Sequence, residues 1–303
     1  MHDSADTDGS ILVERARVTR HDRYPGAQHV LAFAAPGIAE RARPGSFVHM
    51  DCGPEWLLRR PMSIMSASDG EIEILFKQVG HGTLTLAELV PGDASELIGP
   101  IGNHFTQIPG FSRKLLIGGG VGLPPMIYYA EALAAAGEPP PIVLAGSELP
   151  FPFELEPAAL DIPGTTFDAP LAIKRLQDRG IPNRLASWAD LPGCFRGFIT
   201  TLGDEILSAL DESVRSEVAL YACGPTPMLE AVAGLARDHA LPAQVSLEEY
   251  MACAVGGCAG CTVEVATENG PAMQRVCVDG PVFDAAAVFP ATPLADSEEI
   301  EFE

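Results

Sequence analysis

The sequence predicts an antiparallel β-barrel, followed by a parallel α/β domain and a small C-terminal module. Short β-type runs separated by Gly and Pro fill residues 11–110, a pattern typical of an antiparallel barrel or sandwich. Strand–loop–helix alternation over residues 111–244 is typical of a parallel sheet covered by helices. Four cysteines cluster within residues 245–285, and residues 1–10 and 286–303 are predicted to be flexible tails.

The individual elements follow from the same patterns. The barrel region contains five β-type runs, at residues 11–17, 29–33, 46–51, 64–66 and 71–79, and one predicted helix, near residues 84–90. In the α/β region, the predicted strands lie at residues 115–117, 142–145 and 218–222, and the predicted helices at residues 125–136 and 227–240.

The charge balance argues against two kinds of partner. Lys and Arg number 19 against 41 Asp and Glu, which gives a formal net charge of −22 at pH 7. Such a charge opposes nonspecific binding to nucleic acid and to anionic membranes. No window approaches the roughly 18 apolar residues of a membrane span. The polar, acidic start lacks the features of a secretory signal, so a cytoplasmic location is expected.

The cysteine spacing is the most specific functional signal. The C-x4-C-x2-C…C spacing typical of plant-type [2Fe–2S] sites is formed by Cys253, Cys258, Cys261 and Cys277. Glycines at positions 256, 257 and 260 let the backbone approach a cluster and donate N–H groups to its sulfides. Structural zinc, which usually takes ligands in two C-x2–4-C pairs, and disulfides are the alternatives. Cys52 and Cys194 are isolated and are expected to be ordinary semi-buried residues.

Two loops in the α/β region predict a dinucleotide site. Residues 118–122 lie between a strand and a helix, and a helix N-terminus attracts phosphate. The run is not a full G-x-G-x-x-G motif, so a glycine turn without a ligand is the alternative. Residues 223–227 likewise follow a strand and open a helix, and strand ends at one sheet edge form a binding crevice. Glu148 is placed to accept a ribose hydroxyl, which would favour NAD over NADP, unless it is a plain surface carboxylate.

A flavin site is expected because two-electron transfer at the dinucleotide site must be coupled to one-electron transfer at the cluster. Nicotinamide delivers two electrons together as hydride, a cluster accepts them singly, and flavin is the common intermediary. Arg59 and Arg60 stand out in a chain poor in bases, since guanidinium groups neutralise a pyrophosphate. Pro61 fixes the backbone and Ser63 offers a hydroxyl to a ring nitrogen. Residues 80–83 precede a predicted helix and again suit phosphate, although a surface turn is the alternative for so short an arginine motif.

Together these residues resemble the ferredoxin–NADP reductase superfamily, which joins a flavin-binding barrel to a nicotinamide-binding α/β domain. Within it, residues 246–253 and 277–283 resemble the electron-transfer subunit of NAD-dependent dihydroorotate dehydrogenase. The resemblance covers about residues 11–285, and residues 99–103 resemble the family's junction between barrel and α/β domain.

The resemblance also implies the cofactor ligands. FAD would contact Arg60, Pro61, Met62, Ser63, Leu75, Phe76, Lys77, Gly82 and Thr83. NAD(H) would contact Gly118, Gly119, Gly120, Val121, Gly122, Cys223, Gly224 and Pro225. The [2Fe–2S] cluster would be held by Cys253, Cys258, Cys261 and Cys277. Ser63, near the reactive flavin N5, and Cys223, beside the nicotinamide, would be the catalytic residues.

The implied function is electron transfer within a heterotetramer. Hydride would pass between NAD(H) and FAD, and single electrons would pass through the cluster to or from an FMN-containing catalytic subunit. That partner oxidises dihydroorotate to orotate in pyrimidine biosynthesis, and this chain alone would be inactive on dihydroorotate.

Two alternatives to this function stay open. The same cofactors serve other partners in NADPH–ferredoxin transhydrogenase, sulfide dehydrogenase and hydrogenase complexes. The sequence departs from the family pattern in two places. Position 254 is Ala where the family usually has Gly, and residues 185–194 match no family motif. These departures bear on the identity of the partner more than on the cofactors. The alternative of a different class is a zinc-stabilised binding module without a redox role.

Overall fold

The structure, a computed structural model, describes residues 11–162 and 169–291. The described strands are β1 (Leu12–Tyr24), β2 (Gln28–Ala34), β3 (Phe47–Met50), β4 (Arg60–Ser68), β5 (Glu71–Lys77), β6 (Ala94–Ile101), β7 (Arg113–Gly119), β8 (Ile142–Gly146), β9 (Leu155–Pro157), β10 (Leu171–Ile173), β11 (Asn183–Ser187), β12 (Phe195–Arg196), β13 (Val218–Cys223), β14 (Ala243–Ser246), β15 (Thr262–Thr267), β16 (Gly270–Arg275) and β17 (Val282–Asp284).

The described α-helices are α1 (Pro36–Arg41), α2 (His81–Glu88), α3 (Leu123–Ala135), α4 (Lys174–Gln177), α5 (Ile199–Ala209), α6 (Glu212–Arg215), α7 (Thr226–Asp238) and α8 (Ala285–Val288). Within the described ranges, no helix has the length and apolar character that a membrane crossing requires. Residues 1–10 and 292–303, which belong to the predicted tails, lie outside those ranges.

The barrel closes in the order β1-β2-β5-β4-β3-β6, with every neighbouring pair antiparallel. Alternation along β5 places Ile72, Ile74 and Phe76 in the barrel core, whereas Leu75 belongs to a different apolar cluster. The predicted helix near residues 84–90 is α2. The expectation of a single helix in this region is wrong, because α1, at six residues, is too short for periodicity to reveal.

The α/β domain is built on a seven-stranded sheet with the order β12-β11-β8-β7-β13-β14-β17. Neighbours are parallel except β17, which is antiparallel to β14. Because helices cover both faces of such a sheet, its central strands are continuous apolar runs. β7 and β13 are direct neighbours, and Gly118 is the register partner of Cys223. The two predicted dinucleotide loops therefore begin side by side.

The cysteine-bearing segment is held to this sheet at both ends. Residues 247–261 leave the end of β14, the β15–β16 hairpin follows, and β17 returns to pair with β14. Helix α8 comes next, and Asp284 begins it by accepting a hydrogen bond from the backbone N–H of Ala286 at 2.8 Å. The flexible tail predicted from residue 286 is therefore wrong for its first residues, because α8 and Phe289 pack against the α/β core.

Apolar side chains join the barrel to the α/β domain. Val30, Met65 and Leu75 from the barrel share one buried cluster with Leu123 and Met126 from α3. These two parts of the chain therefore form one packed body, in which the face carrying β4 and β5 is fixed against the start of α3.

Charged side chains cross the same interface. Arg175 on α4 contacts Glu73 on β5 at 2.5 Å and Glu131 on α3 at 2.6 Å. Arg20 on β1 pairs with the other oxygen of Glu73. Burial alone would raise the pKa of Glu73, but Arg175, a hydrogen bond from Ser66 and the Arg20 contact outweigh it and lower that pKa to about 2.

Asn103, at the exit from the barrel, binds the cysteine-bearing module. Its side-chain amide donates to the carbonyl oxygens of Asp279 at 3.0 Å and Val282 at 2.8 Å, and its side-chain oxygen accepts from the Val282 N–H at 2.8 Å. Its own N–H donates to Gly280 at 2.7 Å. Residues 99–103 and 277–283, two runs singled out from sequence, thus meet in space.

Candidate cofactor sites

Arg60 lies over the first turn of α2. A Cβ atom placed on Gly82 would be 3.0 Å from each of three guanidinium atoms of Arg60. The first N–H groups of a helix have no acceptor within it and point out from its start. A guanidinium group and a helix N-terminus therefore converge on one spot, which is chemically suited to a pyrophosphate.

The two adjacent arginines have different partners. Arg59 forms an ion pair with Glu96 and also donates to the Glu96 carbonyl oxygen at 2.9 Å. Arg60 donates to the carbonyl oxygens of Leu58 at 2.6 Å and of Arg59 at 3.1 Å. In the described part of the chain, no carboxylate pairs with Arg60 at ion-pair distance. One positive charge, that of Arg60, is thus left for a phosphate, rather than the two that the sequence suggests.

The remaining predicted flavin contacts on the strands have different orientations. Pro61, Met62 and Ser63 are half-buried along β4. Phe76 turns into the barrel core and stacks on His29, with ring centroids 5.1 Å apart. Lys77 is exposed at the end of β5. Because the Phe76 ring is buried in the barrel, only the backbone of Phe76 is available to contact a flavin.

Thr83 shapes the start of α2. Its hydroxyl accepts hydrogen bonds from the N–H groups of Val79 at 2.9 Å and Gly80 at 3.1 Å, and donates to the Gly80 carbonyl at 2.9 Å. The side chain thus organises the turn, and the backbone of Gly82 and Thr83 is the part that faces the position below Arg60.

The two predicted dinucleotide loops are in direct contact. A Cβ atom on Gly122 would lie 2.4 Å from the carbonyl oxygen of Cys223, and one on Gly119 would lie 2.5 Å from Sδ of Met228. A Cβ atom on Gly224 would likewise lie 2.6 Å from Cε of Met228. The glycines are needed here because the two backbones approach more closely than any side chain would allow.

These loops open into a cavity of about 350 Å³. It is lined by Gln28, Lys77, Gly119, Gly120, Val121, Gly146, Ser147, Glu148, Leu149, Ala186, Ser187, Trp188, Gly197, Phe198, Ile199, Pro225 and Met228. Lys77 is a barrel residue that lines the cavity. Glu148 lines it too and lies just after β8, the place that the sequence predicted. This is the crevice expected at the carboxyl edge of a parallel sheet.

Cys223 lies behind this cavity and does not line it. Its side chain is fully buried at the end of β13. Burial, followed by the nearby Glu248 carboxylate, raises the pKa of Cys223 well above its usual range, against an opposing hydrogen bond from Ser246. The thiol is therefore neutral at physiological pH.

Glu248 is a residue that the sequence analysis missed. It lies two residues after β14, at the same sheet edge as Cys223. Although the residue reaches solvent, neighbouring protein atoms desolvate its carboxyl group and raise the pKa of Glu248. Its place after a parallel strand was the signal that could have revealed it.

The strongest interactions among the four predicted cluster cysteines join Cys253 to Cys258 and Cys261 to Cys277, and a weaker one joins Cys277 to Cys253. Among the described residues, no three His, Cys, Asp or Glu side chains are grouped closely enough for one metal ion. Two thiolates per iron are what a two-iron cluster requires, so the pairing fits a [2Fe–2S] group.

The loop between the first two cysteines directs backbone donors at sulfur. The N–H of Val255 has the largest effect on Cys253. Together with the Cys258 side chain and the N–H groups of Cys258 and Gly257, it lowers the pKa of Cys253 to about 7 against the opposing effect of burial. Burial, followed by Cys261, raises the pKa of Cys277 to about 11. Backbone N–H groups thus act on both sulfurs, since that of Gly256 opposes the rise in the pKa of Cys277.

Backbone geometry explains the glycine at position 256. Its φ is +82°, and a Cβ atom there would lie 2.6 Å from Val278. The Arg275 guanidinium also donates to its carbonyl oxygen at 3.1 Å, which ties the loop to the end of β16. Ala254 has φ +57°, the left-handed region that favours glycine, so the residue that departs from the family pattern stands at a position suited to Gly.

Comparison with known proteins agrees with this architecture. A family model described as the iron–sulfur cluster binding domain of dihydroorotate dehydrogenase B matches residues 248–289. The chain is 31% identical over 274 residues to the dihydroorotate dehydrogenase B (NAD(+)) electron transfer subunit of Caldanaerobacter subterraneus subsp. tengcongensis, covering 90% of this chain and 97% of that protein. The subunit of the same name from Bacillus caldolyticus is 34% identical over 286 residues, covering 91% and 99%.

Solved structures show the same fold at lower identity. A chain of the NADH-dependent reduced ferredoxin–NADP oxidoreductase matches with a TM-score of 0.72 and 23% identity, covering 93% of this chain and 91% of that one. Phthalate dioxygenase reductase matches with a TM-score of 0.53 and 17% identity, over 74% and 64%.

Barrel, parallel sheet and cysteine module together define the class of reductase-like electron-transfer proteins, which confirms the predicted fold class and the resemblance. More narrowly, the chain belongs to the family of dihydroorotate dehydrogenase B electron transfer subunits. Membership confirms the predicted class of function and the predicted cofactor set of FAD, [2Fe–2S] and NAD(H) for this family. The iron–sulfur family model also favours a cluster over zinc.

Proposed function

We propose that this chain passes electrons between NAD(H) and an FMN-containing catalytic subunit that converts dihydroorotate to orotate. The observation that carries the proposal is the joining of three sites in one chain. The cradle under Arg60, the cavity beside residues 118–122 and the paired thiols of the C-terminal module are all fixed to the same barrel and sheet.

The barrel face is proposed to hold FAD. When bound, FAD supplies the chemistry that converts a two-electron hydride into single electrons. Arg60 would neutralise the pyrophosphate together with the backbone of Gly82 and Thr83. Ser63, half-buried on β4, would offer its hydroxyl to the flavin ring, and Lys77 would stand where the barrel meets the dinucleotide cavity.

The cavity at the sheet edge is proposed to bind NAD(H). Residues 118–122 would hold the pyrophosphate at the start of α3, and Glu148 would accept a ribose hydroxyl. Cys223 would lie behind the loops near the nicotinamide end of the cavity, where its raised pKa keeps the buried thiol uncharged. A neutral thiol at that place does not stabilise the positive charge of oxidised nicotinamide.

The C-terminal module is proposed to hold the [2Fe–2S] cluster and to be the exit for electrons. Cys253 and Cys258 would ligate one iron, and Cys261 and Cys277 the other, following the observed pairs. Cys258 is exposed whereas Cys261 and Cys277 are buried, so one side of the site faces outward. That side is where a partner flavoprotein would receive electrons.

The partner and the compartment complete the proposal. The relatives that this chain matches over nearly their whole length are dihydroorotate dehydrogenase B subunits. This favours an FMN-containing dihydroorotate dehydrogenase as the partner over the transhydrogenase, sulfide dehydrogenase or hydrogenase alternatives. A cytoplasmic location fits cysteines that must stay reduced until a cluster is assembled.

The direct test is reconstitution with the FMN-containing subunit. The cluster- and FAD-loaded complex is expected to reduce NAD⁺ with dihydroorotate, and this chain alone is expected to be inactive on dihydroorotate. Turnover by this chain alone, or a stable complex that cannot reduce NAD⁺, would contradict the proposal.

The flavin cradle has a matched pair of variants. Arg60→Gln removes the charge above Gly82 and is expected to weaken FAD binding roughly 10- to 100-fold, the range of a charge-assisted hydrogen bond. Arg59→Gln, whose charge is already paired with Glu96, is the control and is expected to change FAD affinity little. Isothermal titration of the apoprotein with FAD measures both.

A further inference from the structure

Trp188 and Phe198 form an exposed aromatic pair. Their rings stack with centroids 5.1 Å apart and planes only 7° from parallel. Trp188 is 65% exposed and Phe198 is 62% exposed, although such large rings are normally buried. The stacked pair therefore presents open aromatic surface to its surroundings.

The pair lies on the same cavity as the dinucleotide loops. Trp188 directly follows β11 and Phe198 directly precedes α5, so both stand at the carboxyl edge of the sheet. The strand order places β11 two positions from β7, which is roughly 10 Å at the usual spacing of neighbouring strands. The cavity thus runs from residues 118–122, past Glu148 on the intervening strand, to the aromatic pair.

The surroundings of the pair suit an uncharged aromatic group. Among the described residues that line the cavity, Lys77 is the one basic side chain, and it lies on the barrel side. Arg196, near the aromatic end, faces Asp190 at 3.8 Å. A flat heterocycle gains from stacking here, since parallel aromatic contacts contribute beyond their buried area.

We propose that Trp188 and Phe198 form the platform on which the adenine ring of NAD(H) stacks. The proposal rests on the proposed function, in which this cavity binds NAD(H). Nicotinamide would lie toward Lys77 and the barrel, the pyrophosphate at residues 118–122, the adenosine ribose at Glu148 and the adenine at the aromatic pair. Residues 185–194, which match no family motif, thereby acquire a role in recognising the dinucleotide.

The test compares two hydride donors on the FAD-loaded protein with a soluble electron acceptor. NADH carries the adenosine half, and reduced nicotinamide mononucleotide lacks it. Trp188→Ala is expected to raise KM for NADH roughly ten-fold, equivalent to about 1.4 kcal/mol. KM for the mononucleotide and kcat for both donors are expected to be unchanged. Trp188→Phe is expected to restore KM for NADH to within roughly two-fold, because it keeps an aromatic face.

A binding measurement separates this proposal from activity. ADP-ribose, which has no nicotinamide, is expected to bind the unmodified protein and to bind Trp188→Ala roughly ten-fold more weakly by calorimetry. In a Trp56→Phe background, where Trp188 is the remaining tryptophan, ADP-ribose should quench the emission. Tyr250→Ala, which removes an aromatic side chain that is 94% exposed elsewhere, is the control for a general surface effect.

The outcomes distinguish the proposals. Equal KM values for NADH in the unmodified protein and in Trp188→Ala overturn the aromatic platform while leaving NAD(H) binding intact. Equal increases for NADH and the mononucleotide also overturn it, since they show general damage to the site. A folded, FAD-loaded protein that NADH does not reduce and ADP-ribose does not bind overturns both proposals.

Discussion

The flavin–dinucleotide body and the cysteine module are both packed, but they differ in what is added to the packing. Barrel and α/β domain share a buried apolar cluster and the ion pairs around Arg175. The module leaves β14, returns at β17, packs side chains such as Met251 and Val276 into the α/β core, and is bound to the barrel by hydrogen bonds of Asn103. Residues 247–261, which carry three of its four cysteines, contain no regular strand or helix.

The difference concerns the backbone of residues 247–261, which no strand or helix orders. Hydride transfer needs reacting groups within roughly 3–3.5 Å, so the flavin and dinucleotide sites require a rigid, packed joint. Single-electron transfer has no such contact requirement, and the cluster loop is expected to take its final order from metal ligation. Removing a ligand should therefore damage the module and leave the rest of the chain intact.

The largest expected effect comes from Cys277→Ser. Loss of a buried ligand is expected to abolish the visible spectrum of the cluster and all transfer to the catalytic subunit, because one iron loses half of its protein ligands. NADH should still reduce FAD, which lies in the packed body. Cys194→Ser, a half-buried cysteine outside the module, is the control. A normal cluster spectrum in Cys277→Ser would remove that residue from the ligand set.

Glu73→Gln tests the packed joint. The pKa of Glu73 is held below its ordinary value of 4.5, at about 2, so its charge stabilises the fold above pH 4.5 and loses this effect as pH falls toward 2. Gln is expected to lower the free energy of unfolding by about 3 kcal/mol at pH 7 and to flatten its acid dependence in that window. Glu71→Gln, exposed on the same strand, is the control in denaturant titrations.

An unchanged pH dependence in Glu73→Gln would show that Arg175 and Arg20 do not hold this carboxylate. Apolar packing alone would then hold the barrel to the α/β domain.

Asn103→Ala tests the joint of the module. Loss of its side-chain hydrogen bonds is expected to lower the free energy of unfolding of the module by about 2 kcal/mol. Stopped-flow reduction by NADH should show slower electron arrival at the cluster but unchanged reduction of FAD. Asn269→Ala, exposed at the turn of the β15–β16 hairpin, is the control. Equal slowing of both steps would mean that Asn103 supports the whole chain and not the module specifically.

The smallest effect concerns two alanines in the cluster loop. Ala259 is exposed with φ +53°, so Ala259→Gly is expected to stabilise the loaded module by about 1 kcal/mol by relieving backbone strain. Ala254 has similar strain but is buried, and its Gly variant also loses the burial of a methyl group, about 0.8 kcal/mol. A near-zero net change is expected there. The denaturant concentration at the midpoint of cluster bleaching measures the stability of both variants. A lower midpoint in Ala259→Gly would show that the backbone at Ala259 is not strained.

Local patterns in the sequence predicted much of this architecture. Glycine runs predicted the loops that meet at Gly122 and Cys223, and the four-cysteine spacing matches the family model over residues 248–289. Both signals are local, because short spacings limit how a backbone turns.

Features that depend on distant partners could not be predicted in this way. Arg59 and Arg60 are adjacent, yet only the fold shows that Glu96 pairs with the first of them. The stacking of Phe76 on His29 likewise depends on how β2 and β5 pair, and the aromatic pair at Trp188 depends on the sheet order. Such contacts join residues far apart in sequence, which periodicity and motif spacing do not encode.

Electrons from NADH are expected to reach the cluster through this one chain. The measurement is an anaerobic titration of the FAD- and cluster-loaded protein with NADH, followed by absorbance and electron paramagnetic resonance. Bleaching of the flavin together with the paramagnetic signal of a reduced [2Fe–2S] cluster is the expected result. Bleaching of the flavin with the cluster remaining oxidised at excess NADH would contradict it.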